Sequence, residues 1–184
     1  MRKLVVMLFA IAGAGLVLAG VSLARGGDDD KNGRVSARLS GYQETPASIS
    51  TEGRGSFEAR IGSSVIEFEL EYEGLEGGSV LFAHIHFGQR HTSGGVSAFL
   101  CGGGGKPACP SSGTVEGTIT AANVQGPAAQ GIAAGELDEL VAAIRAGAAY
   151  VNVHTTTFPA GEIRGQLDKG NRGKGSKGGK GKDD

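Results

Sequence analysis

Three of the four histidines in this 184-residue chain lie in the stretch FAHIHFGQRH, residues 82–91. His84 and His86 are separated by a single residue, so on a β-strand both would point to the same face, about 6.5–7 Å apart along the chain. Two imidazole rings at that separation can lean toward one metal ion. The spacing therefore indicates a candidate metal site on a strand.

The stretch YVNVHT, residues 150–155, supplies a third possible ligand. Its two valines share one face of a strand, and His154 falls on the other. If this strand lies beside residues 80–87, three imidazoles would surround one copper or zinc ion, for which they are suitable ligands. The alternative is a structural polar cluster, because histidines on a half-covered face often bond only carbonyl or carboxylate groups. The pattern leaves both interpretations open for His84, His86 and His154.

Other sets of catalytic residues are missing from the sequence. There is no G-x-S-x-G nucleophile elbow and no phosphate-binding loop of the type G-x-x-x-x-G-K-[ST]. Glu67, Glu69 and Glu71 alternate with apolar residues, which predicts a solvated strand face and not a catalytic carboxylate pair. His91 lies beyond the histidine strand and is expected to be exposed; the alternative is that it serves as a fourth metal ligand. These features favour a protein that is not an enzyme.

The two cysteines, Cys101 and Cys109, flank the glycine-rich stretch CGGGGKPAC. In an oxidising compartment such a close pair is expected to form a disulfide. The bond would close a loop of about 9 residues, worth roughly 2–3 kcal/mol in chain entropy. The alternative is a thiolate metal site, but the spacing does not match the short ligand spacings of structural zinc sites.

Residues 1–24 have the pattern of an export signal. Arg2 and Lys3 precede an uncharged, mostly apolar run, and small residues suit cleavage after Ala24. The alternative is an uncleaved anchor, because about 20 helical residues can cross a bilayer core. Residues 25–32 form a short charged linker. We therefore expect a protein that is secreted or held in the cell envelope.

Residues 169–184 are rich in glycine and lysine and nearly free of apolar side chains, which predicts a disordered tail. The tail has six basic residues against two acidic ones, whereas residues 33–168 have eight basic against fourteen acidic. The basic tail could contact anionic cell-envelope polymers or lipid head groups, or it could simply aid solubility. A nucleic-acid partner is not expected, because no aromatic side chains lie between the lysines.

Residues 33–168 are the length of one domain, and their pattern predicts an all-β fold. The clearest strand is VIEFELEY, residues 65–72, with strict apolar and acidic alternation. One segment departs from this pattern: residues 135–147 place apolar side chains at helical spacing, which predicts a short amphipathic helix. Glu162 and Arg164 share a strand face and are expected to bond neighbouring side chains. Further strand candidates are 35–39, 55–61, 80–87, 96–100, 114–120, 148–155 and 162–167.

Four stretches in this order resemble the CHRD domain, named after chordin: LSGYQETP, GRGSFEARI, FAHIHFG and AIRAGAAYVNVHTTTFPAGEIRGQL. The resemblance covers roughly residues 33–168. It implies a secreted β-sandwich of immunoglobulin-like or superoxide-dismutase-like character. Copper–zinc dismutases also bind copper through an HxH pair on a strand and a later histidine, as His84, His86 and His154 could. Their two-metal site needs six histidines and an aspartate, so this chain can hold one metal at most.

Two functions follow from these observations. The first is a secreted, non-enzymatic binding or structural module of the cell exterior, favoured by the export signal, the sandwich and the missing catalytic sets. The second is a protein that binds a single copper or zinc ion through its three clustered histidines. Fold resemblance alone transfers no activity.

Overall fold

A computed structural model describes residues 33–169 of the chain. It contains nine strands and one α-helix within that range. The strands are β1 (Arg34–Ser40), β2 (Arg54–Ile61), β3 (Ile66–Glu73), β4 (Val80–Phe87), β5 (Gly95–Cys101), β6 (Gly113–Ile119), β7 (Ala149–Thr155), β8 (Ile163–Gln166) and β9 (Asp168–Lys169). The helix, α1, spans Leu137–Arg145.

The strands form one antiparallel arrangement in the order β5-β4-β7-β8-β1-β2-β3-β6, with β9 paired to β1. The first half of this order, β5-β4-β7-β8, joins the second half, β1-β2-β3-β6, where β8 pairs with β1 at Arg164 and Ser40. An isolated bridge between Ala98 of β5 and Val124, just after β6, brings the two ends of this path together. The result is an antiparallel β-sandwich that is nearly closed like a barrel, which confirms the predicted all-β fold.

Strand β3 follows the alternation of its sequence throughout. Its residues are buried and exposed in strict turn. The apolar side chains enter the core, where Phe57 of β2 stands opposite Leu70, while the glutamates at 67, 69 and 71 face solvent as predicted. The burial of alternate apolar residues holds this half of the sandwich together.

Helix α1 covers part of the core with one apolar stripe, as its spacing predicts. The chain leaves the helix through Gly147, whose φ of +71° is a conformation that glycine adopts without steric cost. Arg145 in the last turn has the charge that suits a helix C-terminus. The buried residues of the stripe are Leu137, Leu140, Val141, Ala143 and Ile144.

Strands β4, β7 and β8 differ from β3 because both of their faces are covered. All seven residues of β7 and all four of β8 are buried. One face carries apolar side chains such as Ile85 and Val153, which belong to the hydrophobic core. The other face is polar and lies under three connecting segments, residues 41–53, 88–94 and 156–162. We call this second layer the polar face; its residues are His84, His86, Tyr150, Asn152, His154, Arg164 and Gln166.

Cys101 and Cys109 form the expected disulfide, with an S–S distance of 1.99 Å. The bond anchors a glycine-rich loop to the end of β5. The backbone of that loop packs on the ring of Phe99: a Cβ added at Gly103 or Gly104 would lie within 2.8 Å of ring atoms. The loop thus covers Phe99, whose ring in turn packs against His84.

Within the described residues, no helix is long and apolar enough to cross a membrane. Lys169 ends the described range and pairs with Val35 through β9. The expected signal peptide at 1–24, the linker at 25–32 and all but the first residue of the basic tail lie outside the described residues.

Candidate metal centre

The antiparallel pairing of β4 with β7 brings the three histidines together. Phe82 stands opposite His154, and His84 stands opposite Asn152. His84 and His154 are therefore diagonal neighbours on the polar face, and His86 follows His84 on the same strand. The Nδ1 atom of His84 lies 3.2 Å from Nε2 of His154 and 3.3 Å from Nε2 of His86. Alternation in the sequence places each histidine on the polar face of its strand, and the pairing of β4 with β7 is what brings His154 to the other two.

These separations match those between ligands of one small metal ion. With zinc–nitrogen bonds of about 2.0–2.1 Å, tetrahedral angles place neighbouring ligand nitrogens about 3.3–3.4 Å apart. The three ring nitrogens of the cluster all lie within 4.8 Å of one another. The widest pair would have to close by roughly 1.4 Å to reach the tetrahedral separation.

Backbone carbonyls fix the orientation of two of the rings. The Nδ1–H group of His86 donates to the carbonyl oxygen of Gly94 at 3.0 Å. The Nδ1–H group of His154 donates to the carbonyl oxygen of Pro159, also at 3.0 Å. Each hydrogen bond places the proton on the outer nitrogen and leaves the Nε2 lone pair directed inward. This arrangement, with the second ring nitrogen held by a carbonyl, is usual for histidines that bind metals.

The count of protons distinguishes this cluster from an ordinary polar network. With both outer nitrogens protonated, the neutral rings of His86 and His154 present only lone pairs to the centre. His84 has one proton to place at Nδ1, and that proton can serve one of the two close contacts at a time. In three neutral imidazoles, at least two nitrogen lone pairs therefore face each other with no proton between them. A bound cation would instead accept one lone pair from each ring.

Burial keeps the rings neutral. The three side chains are at most 8% exposed. Burial, and then the neighbouring His154 and His86, lower the pKa of His84 to about 3. Burial also lowers the pKa of His86 to about 4 against the opposing effect of its hydrogen bond to Gly94, and burial lowers the pKa of His154. At neutral pH the imidazoles are therefore in the form that binds metals.

Aromatic side chains surround the cluster. The ring of Phe82 stacks on His84 with centroids 4.9 Å apart, and Phe99 meets the same imidazole edge-on at 4.4 Å. Tyr150 lies flat against His86, with centroids 4.7 Å apart and planes inclined by 4°. These contacts hold the imidazoles and exclude water from their sides.

A second polar group lies beside the histidines. The guanidinium carbon of Arg164 lies 3.5 Å from the centroid of the Tyr150 ring. Its nitrogens donate to Oγ1 of Thr45 at 2.6 Å and to the carbonyl oxygen of Gln89 at 3.0 Å. Asn152 donates from Nδ2 to both carboxylate oxygens of Glu44. Arg164 thus bonds its neighbours as expected from sequence.

Glu44 and the two β7 residues beside His154 were not among the predicted site residues. Tyr150 and Asn152 share the alternation phase of His154, so the sequence did contain a signal for them. Glu44 lies in a loop with no periodic pattern, and the sequence offered no comparable signal. His91 is exposed at a φ of +64° and is not part of the cluster.

Comparison with known proteins gives one match. The family model of the CHRD domain matches residues 35–167. No curated protein and no solved structure matches the chain. The matched range covers every strand from β1 to β8 except the first residue of β1, and it includes the three histidines and the disulfide. The CHRD domain is a module of the extracellular type. This chain therefore belongs to the CHRD domain family.

Proposed function

We propose that this protein is an exported CHRD module that binds one copper or zinc ion through His84, His86 and His154. One observation carries the proposal: the Nε2 atoms of His86 and His154 lie 3.3 and 3.2 Å from Nδ1 of His84, and backbone carbonyls hold those two rings in that orientation. Imidazole nitrogens at such separations suit both ions.

The proposed role is binding and not catalysis. Within residues 33–169 the three histidines are the one group of at least three potential ligand residues close enough to share an ion. The three side chains are also deeply buried, and aromatic rings line them, which limits the approach of a substrate.

Export is proposed from the sequence of residues 1–24, and the disulfide supports it. Structural disulfides persist in oxidising compartments outside the cytosol. The intact mass of protein recovered from the exported fraction tests this part. The expected mass lacks residues 1–24 and lacks two hydrogens at the cysteines; a mass that includes those residues would contradict cleavage and favour an anchor.

Metal titration of the stripped protein tests the binding role. We expect one equivalent of copper or zinc per chain by calorimetry and elemental analysis. His84→Ala, His86→Ala and His154→Ala should each weaken binding by about 100-fold or more, because two imidazoles compete poorly with water. The matched control is His91→Asn, which removes an exposed histidine and suits its positive φ; this variant should bind like the wild type.

The outcome that overturns the proposal is a correctly folded wild type that binds neither ion. The thermal transition of each variant must be measured alongside, so that lost binding is not confused with lost folding. Without metal binding, the remaining proposal for this chain is a non-enzymatic extracellular binding or structural module, with the basic tail as a candidate contact for anionic envelope polymers.

A further inference from the structure

We infer that the histidine cluster selects monovalent copper over divalent zinc and divalent copper. This inference rests on the proposed function and narrows it to one ion. Three features carry it: the neutral ligand set, the guanidinium group behind one of the ligands, and the aromatic rings packed against the imidazoles.

The charge of the ligand set is the first feature. The three residues that converge are all histidines, and no carboxylate belongs to the group. Neutral imidazoles do not offset the charge of the ion that they bind. The cost of placing an ion in a buried site rises with the square of its charge, so this site penalises a divalent ion about four times as much as a monovalent one.

The position of Arg164 adds to this penalty. Its guanidinium carbon lies 3.5 Å from the centre of the Tyr150 ring, and that ring lies 4.7 Å from the centre of the His86 ring. The guanidinium is therefore no more than about 8 Å from this ligand, which is within the range of effective Coulomb repulsion in a buried site. Both hydrogen-bond acceptors of Arg164, Thr45 Oγ1 and Gln89 O, are neutral.

One acidic group opposes the charge of Arg164. Glu44 attracts the guanidinium, and Arg90 repels it. Burial raises the pKa of Glu44 to about 7, so that its carboxyl group is only partly ionised at neutral pH. The positive charge of Arg164 therefore exceeds the negative charge available to balance it, and the excess acts twice as strongly on a divalent ion.

The surroundings of the cluster are the third feature. Phe82 and Phe99 pack against His84, and Tyr150 covers His86. Zinc in structural sites is almost always four-coordinate, and divalent copper prefers a tetragonal set of nitrogen and oxygen ligands. Monovalent copper has a filled d shell and accepts two or three donors. The set of three histidines is therefore complete for monovalent copper, whereas zinc and divalent copper would need a further ligand, such as water, beside the aromatic rings.

Competition experiments on the stripped, disulfide-bonded protein test this preference. Monovalent copper is supplied without oxygen in ascorbate, which reduces copper but leaves the disulfide intact, and a colorimetric chelator for monovalent copper sets its free concentration. Zinc and divalent copper are titrated separately against chelators of known affinity. We expect monovalent copper to bind at least about 100-fold more tightly than zinc, from the charge penalty alone.

Two variants test the role of charge in opposite directions. At pH 8, above the pKa of Glu44, Glu44→Gln removes the opposing negative charge and should raise the preference for monovalent copper over zinc roughly tenfold. Arg164→Gln should lower it roughly tenfold. A purely structural role for either residue would change both affinities together and leave their ratio constant. If Arg164→Gln does not fold, the wild type and Glu44→Gln still decide the question.

The outcomes separate this inference from the function on which it rests. Tight binding of monovalent copper with weak binding of zinc supports both. An affinity for zinc or for divalent copper equal to or greater than that for monovalent copper overturns the inference and leaves the metal-binding function intact. A folded protein that binds none of the three ions overturns both.

Discussion

The side-chain amide of Asn152 donates to both carboxylate oxygens of Glu44, at 2.8 and 3.0 Å. Glu44 comes from the loop after β1 and Asn152 from the middle of β7, where it stands opposite His84. Both side chains are buried, at 7% and 2% exposed. The bond therefore fastens a loop over the polar face beside the histidines.

Glu44 should make the stability of the protein depend on pH. Burial raises the pKa of this carboxyl from 4.5 to about 7 in the folded state. Between those values the folded protein holds a proton that the unfolded chain has lost. The contribution of Glu44 to the free energy of unfolding is therefore full below pH 4.5 and is lost as the pH rises through 7. The loss amounts to on the order of 3 kcal/mol.

Glu44→Gln isolates this effect, because glutamine resembles the protonated acid and does not titrate. We expect the difference in unfolding free energy between variant and wild type to favour the variant increasingly from pH 5 to pH 8, as measured by urea unfolding. The buried histidines have lowered pKa values and make stability rise with pH, but they are present in both proteins, so their effect cancels in the difference. A difference that stays constant with pH would contradict the raised pKa.

Glu162 should be among the most sensitive positions for stability. Its carboxylate is fully buried and accepts four hydrogen bonds, from Thr51 Oγ1, Thr155 Oγ1 and the backbone amides of Glu76 and Gly77. Glu162→Gln would place an NH₂ group, which cannot accept a hydrogen bond, against two of these donors. We expect a loss of about 2–4 kcal/mol in the unfolding free energy. The matched control, Glu69→Gln on the exposed face of β3, should change it by less than about 0.5 kcal/mol.

The disulfide should stabilise the domain by constraining the unfolded chain. Cys101 and Cys109 are eight positions apart, which closes a short loop. Replacing both by alanine should lower the unfolding free energy by about 2–3 kcal/mol. Urea unfolding of the wild type with and without reductant supplies the control: the reduced wild type should unfold near the variant. Equal midpoints for all three would show that the bond contributes nothing.

Gly161 should affect the proposed metal site without contacting an ion. Its φ is +131°, and an added Cβ would meet the side chains of Asn152 and Glu44. Gly161→Ala should displace the segment that holds the Pro159 carbonyl against His154 and weaken metal binding by about tenfold. Gly131→Ala is the matched control, since its φ is +95° but nothing lies within 4 Å of the added atom. This control should cost stability and leave metal affinity unchanged.

Local pattern was sufficient for much of the fold. The alternation in β3 and the helical spacing of α1 depend on which face each residue buries, so both appear directly in the sequence. The shared faces of His84, His86 and His154 follow from the same rule. The disulfide follows from the short spacing of the only two cysteines.

Long-range contacts were not predictable in the same way. Whether His154 meets His84 depends on the register between β4 and β7, which no single segment specifies. Glu44 reaches Asn152 across 108 positions of sequence, from a loop with no periodicity. The burial of both faces of β7 and β8 was also hidden, because it depends on three loops that fold back over the sheet and not on the strands themselves.

The two differently occupied faces of β4, β7 and β8 have a consequence for how this scaffold can change. Apolar side chains of the core and side chains of the polar face alternate along the same strands, so replacing one set leaves the other in place. The polar positions can accept new ligand sets by substitution, while the apolar positions preserve the fold. A protein designer could therefore change the binding specificity of this sheet by substituting residues of the polar face alone.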